Sequence, residues 1–199
     1  MAKLYFRYGT VGSAKTMNLL AVAHNYQTQG KRVVLIKPVL DDRFGRTTIR
    51  SRAGLEKEAD ILAGEDAMLE PRRFDGVACV LVDEAQFLSA HVVDQLRRIS
   101  RDQDVPIICY GLRTDFRTRL FAGAKRLLEV ADSIEEIKTT CYFCERKAIF
   151  NLKLLNGQPT VAGPSIDLGD EEKYLPACAA CFDERVGPLL GTKTGTPAT

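Results

Sequence analysis

Residues 9–16 read Gly9-Thr10-Val11-Gly12-Ser13-Ala14-Lys15-Thr16, and they constrain the fold more than any other stretch of the chain. The apolar run Lys3–Tyr8 before them reads as a buried strand. After them, over Lys15–Gln29, Leu19, Val22, Ala23 and Tyr26 recur at helical spacing and Gly30 offers a stop. A loop between strand and helix aims backbone N–H groups at phosphate oxygens, a lysine adds a point charge, and a Thr hydroxyl can reach Mg²⁺. The pattern is G-x-x-x-x-G-K-[ST] with Ala14 in place of its last glycine. If that position is left-handed, alanine costs roughly 1–2 kcal/mol more than glycine. A chance glycine-containing turn is the competing reading of this motif alone.

A second motif narrows the choice. Val77–Val82 is an apolar strand that runs into Asp83-Glu84-Ala85-Gln86-Phe87. Behind a phosphate loop, one acid at such a strand end holds Mg²⁺ and a nearby carboxylate can take a hydroxyl proton. Alone, two acids at a strand end are more often a cap or a solvated turn. Further strands are predicted at Val33–Lys37, Ile107–Tyr110 and Ile134–Lys138, with helices at His91–Ser100 and Ala124–Val130. Strands alternating with helices predict an α/β fold: a phosphate-loop nucleotide-binding core whose parallel sheet is flanked by helices. Between Asp41 and Asp60 the pattern turns polar and irregular, which predicts a mobile loop. Its Arg43, Arg46, Arg50 and Arg52 fit either a solvated surface or a phosphate-facing one.

Past Thr140 the chain changes character. Cys141-x-x-Cys144 and Cys178-x-x-Cys181 are 33 residues apart, with Gly157, Pro159, Gly163 and Pro164 between them. Two such pairs can place four thiolates on one tetrahedral Zn²⁺, a closed and therefore structural site. Four free thiols, or redox chemistry at one pair, are the alternatives. Cys79 and Cys109 sit in apolar runs and read as core thiols, and His24 and His91 read as structural or surface residues. With 45% apolar and 27% charged residues, the 199-residue chain can bury a core. A net charge of +2 with scattered basic residues argues against a nucleic-acid-binding face. No run approaches a membrane span and no export signal is visible, so a cytoplasmic location is expected.

In order, Gly9…Lys15-Thr16, Asp83-Glu84-Ala85-Gln86-Phe87, Tyr110-Gly111-Leu112-Arg113-Thr114-Asp115-Phe116 and the two cysteine pairs, with Tyr174 before the second, resemble the cellular-type (type II) thymidine kinases. The resemblance covers residues 3–185. It departs at Ala14, a glycine in the family, and at Arg113-Thr114-Asp115, where many members carry Asp-Gly-Thr. It implies a kinase domain over residues 1–140 and a zinc-ribbon-like lasso domain over 141–190; a disordered tail is expected over 191–199. It implies that Gly9, Thr10, Val11, Gly12, Ser13, Ala14, Lys15, Thr16 and Arg52 bind the ATP phosphates. Thr16 and Asp83 would hold Mg²⁺, and Glu84 would be the catalytic base toward the 5′-hydroxyl of thymidine. Val11, Phe87, Leu112, Phe116 and Tyr174 would line the thymidine pocket, and Cys141, Cys144, Cys178 and Cys181 would hold structural Zn²⁺. A homotetramer inhibited by thymidine triphosphate is also implied. Two other functions fit the same residues: a catalytically weakened nucleotide-binding protein, suggested by Ala14, and a phosphate-loop NTPase that activates water.

Overall fold

The computed structural model describes residues 1–165 and 173–191. In chain order its elements are β1 (Leu4–Tyr8), α1 (Lys15–Thr28), β2 (Val33–Pro38), β3 (Thr48–Arg50), β4 (Glu56–Glu58), β5 (Ile61–Ala63) and β6 (Cys79–Val82). There follow α2 (Ala90–Asp102), β7 (Ile107–Gly111), α3 (Ala122–Val130), β8 (Ser133–Glu136), β9 (Phe150–Leu155), β10 (Gln158–Thr160), β11 (Tyr174–Ala177) and α4 (Ala179–Gly191).

Six strands form one sheet in the order β5-β2-β6-β7-β1-β8, and every neighbouring pair is parallel. Parallel strands are covered on both faces, which is why β2 and β6 are unbroken apolar runs apart from Lys37 and Pro38. Alternation then sends side chains to two cores. Val80 and Val82 of β6 join Val92, Val93, Leu96, Ala124 and Leu127 from α2 and α3. Cys79 and Leu81 join Leu19, Leu20 and Ala23 from α1 on the opposite face. Helix α2 starts where Ser89 Oγ accepts the Val92 N–H at 3.3 Å, a side-chain cap that satisfies one free amide. Both core thiols are fully buried, as the sequence suggests; burial pushes Cys79 up to about 11 and raises Cys109 as well. His24 and His91 are exposed on α1 and α2.

The stretch expected to be a mobile loop is in part a hairpin. β3 and β4 pair antiparallel from Thr48–Glu58 to Arg50–Glu56. Only Ile49 of the six residues is buried, so the segment carries no alternating apolar signal to read. What orders it lies elsewhere: Lys37 Nζ reaches back from β2 to the carbonyls of Thr48 (2.8 Å) and Gly45 (3.3 Å). Beyond Thr140 the chain forms a three-stranded antiparallel sheet, β10-β9-β11, backed by α4. Leu152, Ala177, Phe182 and Val186 make its small core. The expected tail, apart from Gly191, lies outside the described residues.

Candidate active site

Every strand of the large sheet is parallel, so the loops after β1, β2, β6 and β7 emerge at one edge. They enclose a cavity of about 260 Å³ whose walls include Lys15, Thr16, Asp83, Glu84, Phe116 and Tyr174. Val11, Phe87, Leu112 and Arg52 line it too, so the sequence brings together residues drawn from 163 positions of chain.

The phosphate loop is held tightly. Gly9 donates to the Gly111 carbonyl at 3.2 Å, and a Cβ on Gly9 would lie 2.5 Å from the Ile137 carbonyl oxygen, so no side chain fits there. Gly12 has φ +73°, and Ala14 has φ 60° and ψ 27°, the left-handed conformation that makes alanine costly at that position. Lys15 Nζ donates to the Thr10 carbonyl at 2.7 Å and to Ser13 Oγ at 3.4 Å. Burial lowers its pKa to about 8, although the charges of Glu84 and Asp83 oppose the shift. Arg52 closes the outer side, with Nη1 3.9 Å from where a Cβ on Gly12 would sit. The Val11 N–H is already committed, donating to Asn151 Oδ1 at 2.9 Å.

Across the cavity, Thr16 Oγ1 lies 3.2 Å from both carboxylate oxygens of Asp83. Burial, then the neighbouring Glu84 and Asp41 charges, raise the Asp83 pKa. Glu84 goes the other way. Burial opposes its charge, but Arg43, Lys15 and the hydrogen bond from Gln86 together hold its carboxyl well below the usual range. Its φ of 46° is left-handed and turns the side chain from the strand end into the cavity. A hydroxyl-anchoring Thr and a buried acid side by side suit Mg²⁺, which takes oxygen ligands and keeps several waters.

Sequence reading missed part of this apparatus. Arg43 bridges two acids, pairing Glu84 Oε1 and donating to Asp41 Oδ1 at 2.6 Å; Lys37 lies 3.5 Å from Asp41 Oδ2. Gln86 donates to Glu84 Oε2 at 2.5 Å and accepts the Leu112 N–H at 2.9 Å, so it ties the acid to the pocket wall. Arg43 stood among four loop arginines that spacing alone could not rank, and Asp41 follows no motif.

The apolar end is aromatic. Phe116 and Tyr174 have ring centroids 6.3 Å apart, and Phe87 meets Phe121 edge-on at 5.6 Å. Arg117 and Lys153 each place a cationic group 4.8 Å from the Phe116 centroid. Away from the cavity, the sulfurs of Cys141, Cys144, Cys178 and Cys181 all lie within 4.8 Å of one another. The Cys144–Cys178 and Cys144–Cys181 separations are 3.6 and 3.7 Å. Ligands about 2.3 Å from a tetrahedral Zn²⁺ stand about 3.8 Å apart, so the four thiols fit that ion.

The sequence was compared with known proteins. The family model described as thymidine kinase matches residues 2–182. A thymidine kinase of Lactiplantibacillus plantarum is 44% identical over 180 residues, covering 89% of this chain and 94% of that protein. One from Streptococcus pyogenes serotype M3 is 43% identical over 184 residues, covering 89% and 95%. One from Lactobacillus acidophilus is 41% identical over 188 residues, covering 89% and 94%. With the phosphate loop, the paired acids and the aromatic pocket at one sheet edge, the chain belongs to the thymidine kinase family.

Proposed function

We infer that the chain transfers the γ-phosphoryl group of ATP to the 5′-hydroxyl of thymidine, a salvage reaction yielding thymidine monophosphate. The observation that carries the reading is the convergence of Lys15, Thr16, Asp83 and Glu84 on one cavity whose far wall is Phe116 and Tyr174. Charge thus gathers at one end and a base-sized aromatic slot at the other.

In this reading the amides of residues 12–16, Lys15 and Arg52 bind the phosphates, while Thr16 and Asp83 hold Mg²⁺. The ion would offset charge on the phosphate oxygens as the phosphoryl group moves. Glu84 accepts the 5′-hydroxyl proton. Paired with Arg43 it is a weak base, which suits a loose transition state in which positioning matters more than early deprotonation. Tyr174 closes the nucleoside end and excludes water that would otherwise compete with the alcohol. Residues 1–140 act as the kinase domain and 141–190 as the zinc-bearing lasso domain, where the four cysteines hold a structural ion. The homotetramer and feedback inhibition by thymidine triphosphate follow from the family resemblance, and a cytoplasmic location is part of the same proposal. No helix among the described residues is long and apolar enough to cross a membrane.

The test is thymidine phosphorylation with Mg-ATP, with deoxycytidine and no-acceptor controls. Thymidine monophosphate should form, with little ATP loss when no nucleoside is present. Asp83→Asn and Glu84→Gln should each abolish transfer in a folded protein; full activity in either removes its assigned role. Nucleoside-independent hydrolysis would favour the water-activating NTPase, and tight nucleotide binding without product the weakened binding protein.

A further inference from the structure

Strand β9 begins Phe150-Asn151-Leu152-Lys153-Leu154, a plain alternation. Phe150, Leu152 and Leu154 face the small core beside α4. Asn151 and Lys153 face the other way, where an ordinary half-buried strand meets water, yet each is only 4% exposed. Buried polar groups need partners. Asn151 finds its partners in two different loops of the cavity. Its Oδ1 accepts the Val11 N–H at 2.9 Å, and its Nδ2 donates to the Thr114 carbonyl at 3.0 Å. Val11 belongs to the phosphate loop, and Thr114 lies two residues before Phe116 of the aromatic wall.

The phosphate loop needs such a brace. Between Val11 and Lys15 it holds two left-handed residues, Gly12 and Ala14. Such conformations persist where their surroundings over-determine them. The Lys15 ammonium fixes the Thr10 carbonyl from one side. The Val11 N–H belongs to that same peptide group and, pinned to Asn151, fixes it from the other. That peptide is turned toward β9, and of the amides that follow, Ser13 N–H makes only a long bond, 3.4 Å, back to the Thr10 carbonyl.

We propose that Asn151 is a positioning residue of the phosphate loop, through which the cysteine-bearing module sets the geometry of that loop. The inference rests on assigning residues 9–16 to ATP, but part of its test needs no ATP, so the two can fail separately.

The first measurement is amide exchange at Val11 in the wild-type enzyme without ligand. Slow exchange is expected, and fast exchange overturns the proposal without any variant. Asn151→Ala should expose the Val11 amide while residues 4–8 keep their protection. The same variant should raise KM for ATP about tenfold, the effect of one lost buried hydrogen bond, and change KM for thymidine about twofold or less. Asn151→Asp keeps an acceptor and should keep Val11 protected, which serves as the decisive variant if the alanine form does not fold. A rise in KM for thymidine alone would make Asn151 a nucleoside contact and overturn the proposal. So would loss of Val11 protection in Asn151→Asp.

Discussion

Ala14 departs from the phosphate-loop pattern at a left-handed position, φ 60° and ψ 27°. Glycine there would relieve roughly 1–2 kcal/mol of backbone strain, offset by up to about 1 kcal/mol of added freedom in the unfolded chain. Ala14→Gly is therefore expected to raise unfolding stability in urea by about 0.5–1 kcal/mol, with KM for thymidine unchanged. Lys15 gives a pH signature. Its folded pKa, about 8, lies below the ordinary lysine value of 10.5, so between those values the unfolded chain holds more protons. Stability of the ligand-free protein should rise with pH across that window, and Lys15→Met should flatten the rise in denaturation curves. Activity should move oppositely, because kcat/KM for ATP depends on the ammonium and falls above about pH 8. At this scale the sequence showed the reactive groups clearly, since Lys15, Thr16, Asp83 and Glu84 sit in local motifs. Arg43, Gln86 and Asn151 were not legible as site residues, because the bonds from Arg43 to Glu84, from Leu112 to Gln86 and from Val11 to Asn151 are tertiary and no local spacing encodes them.

Among the elements, α3 and the loop carrying Phe116 show what pattern can and cannot reveal. The helix was visible from its apolar spacing. Its depth was not: a Cβ on Gly123 would lie 2.3 Å from the Ala85 carbonyl oxygen and 2.7 Å from that of Leu88. This close approach lets α3 support the turn that carries Glu84 and Gln86. β9, β10, β11 and α4 went unread because Gly157, Pro159, Gly187 and Pro188 look like breakers, and β10 has only three residues. The edge strand β5 has three residues and offers too little period to detect. Arg117 has a role of its own beside the pocket. Nε donates to the Val161 carbonyl at 2.9 Å, Nη1 to Ser165 Oγ at 3.4 Å, and Nη2 to the Gly163 carbonyl. These bonds hold the segment after β10 against the wall built by Phe116. Arg117→Ala should release it, raising KM for thymidine about tenfold in steady-state kinetics while KM for ATP stays within about twofold.

For the molecule as a whole, the parallel sheet and the cysteine-bearing module keep separate apolar cores, joined by the Asn151 hydrogen bonds and the Phe116–Tyr174 ring contact. The parallel sheet has its own two-sided core, and the cysteine-bearing module has a small one of Leu152, Ala177, Phe182 and Val186. Zinc held by the four thiols, as proposed, would supply part of the folding free energy of a core that small. Cys178→Ser should therefore lose zinc by metal analysis and expose residues 141–191 to protease. Thymidine turnover should be lost, while the far-UV circular dichroism of the parallel sheet persists. The bond from Val11 to Asn151 spans 140 residues and has a consequence for how the protein is made. On the ribosome the phosphate loop emerges well before its brace. A nascent chain stalled short of residue 151 carries an unfinished loop, so nucleotide capture waits for β9.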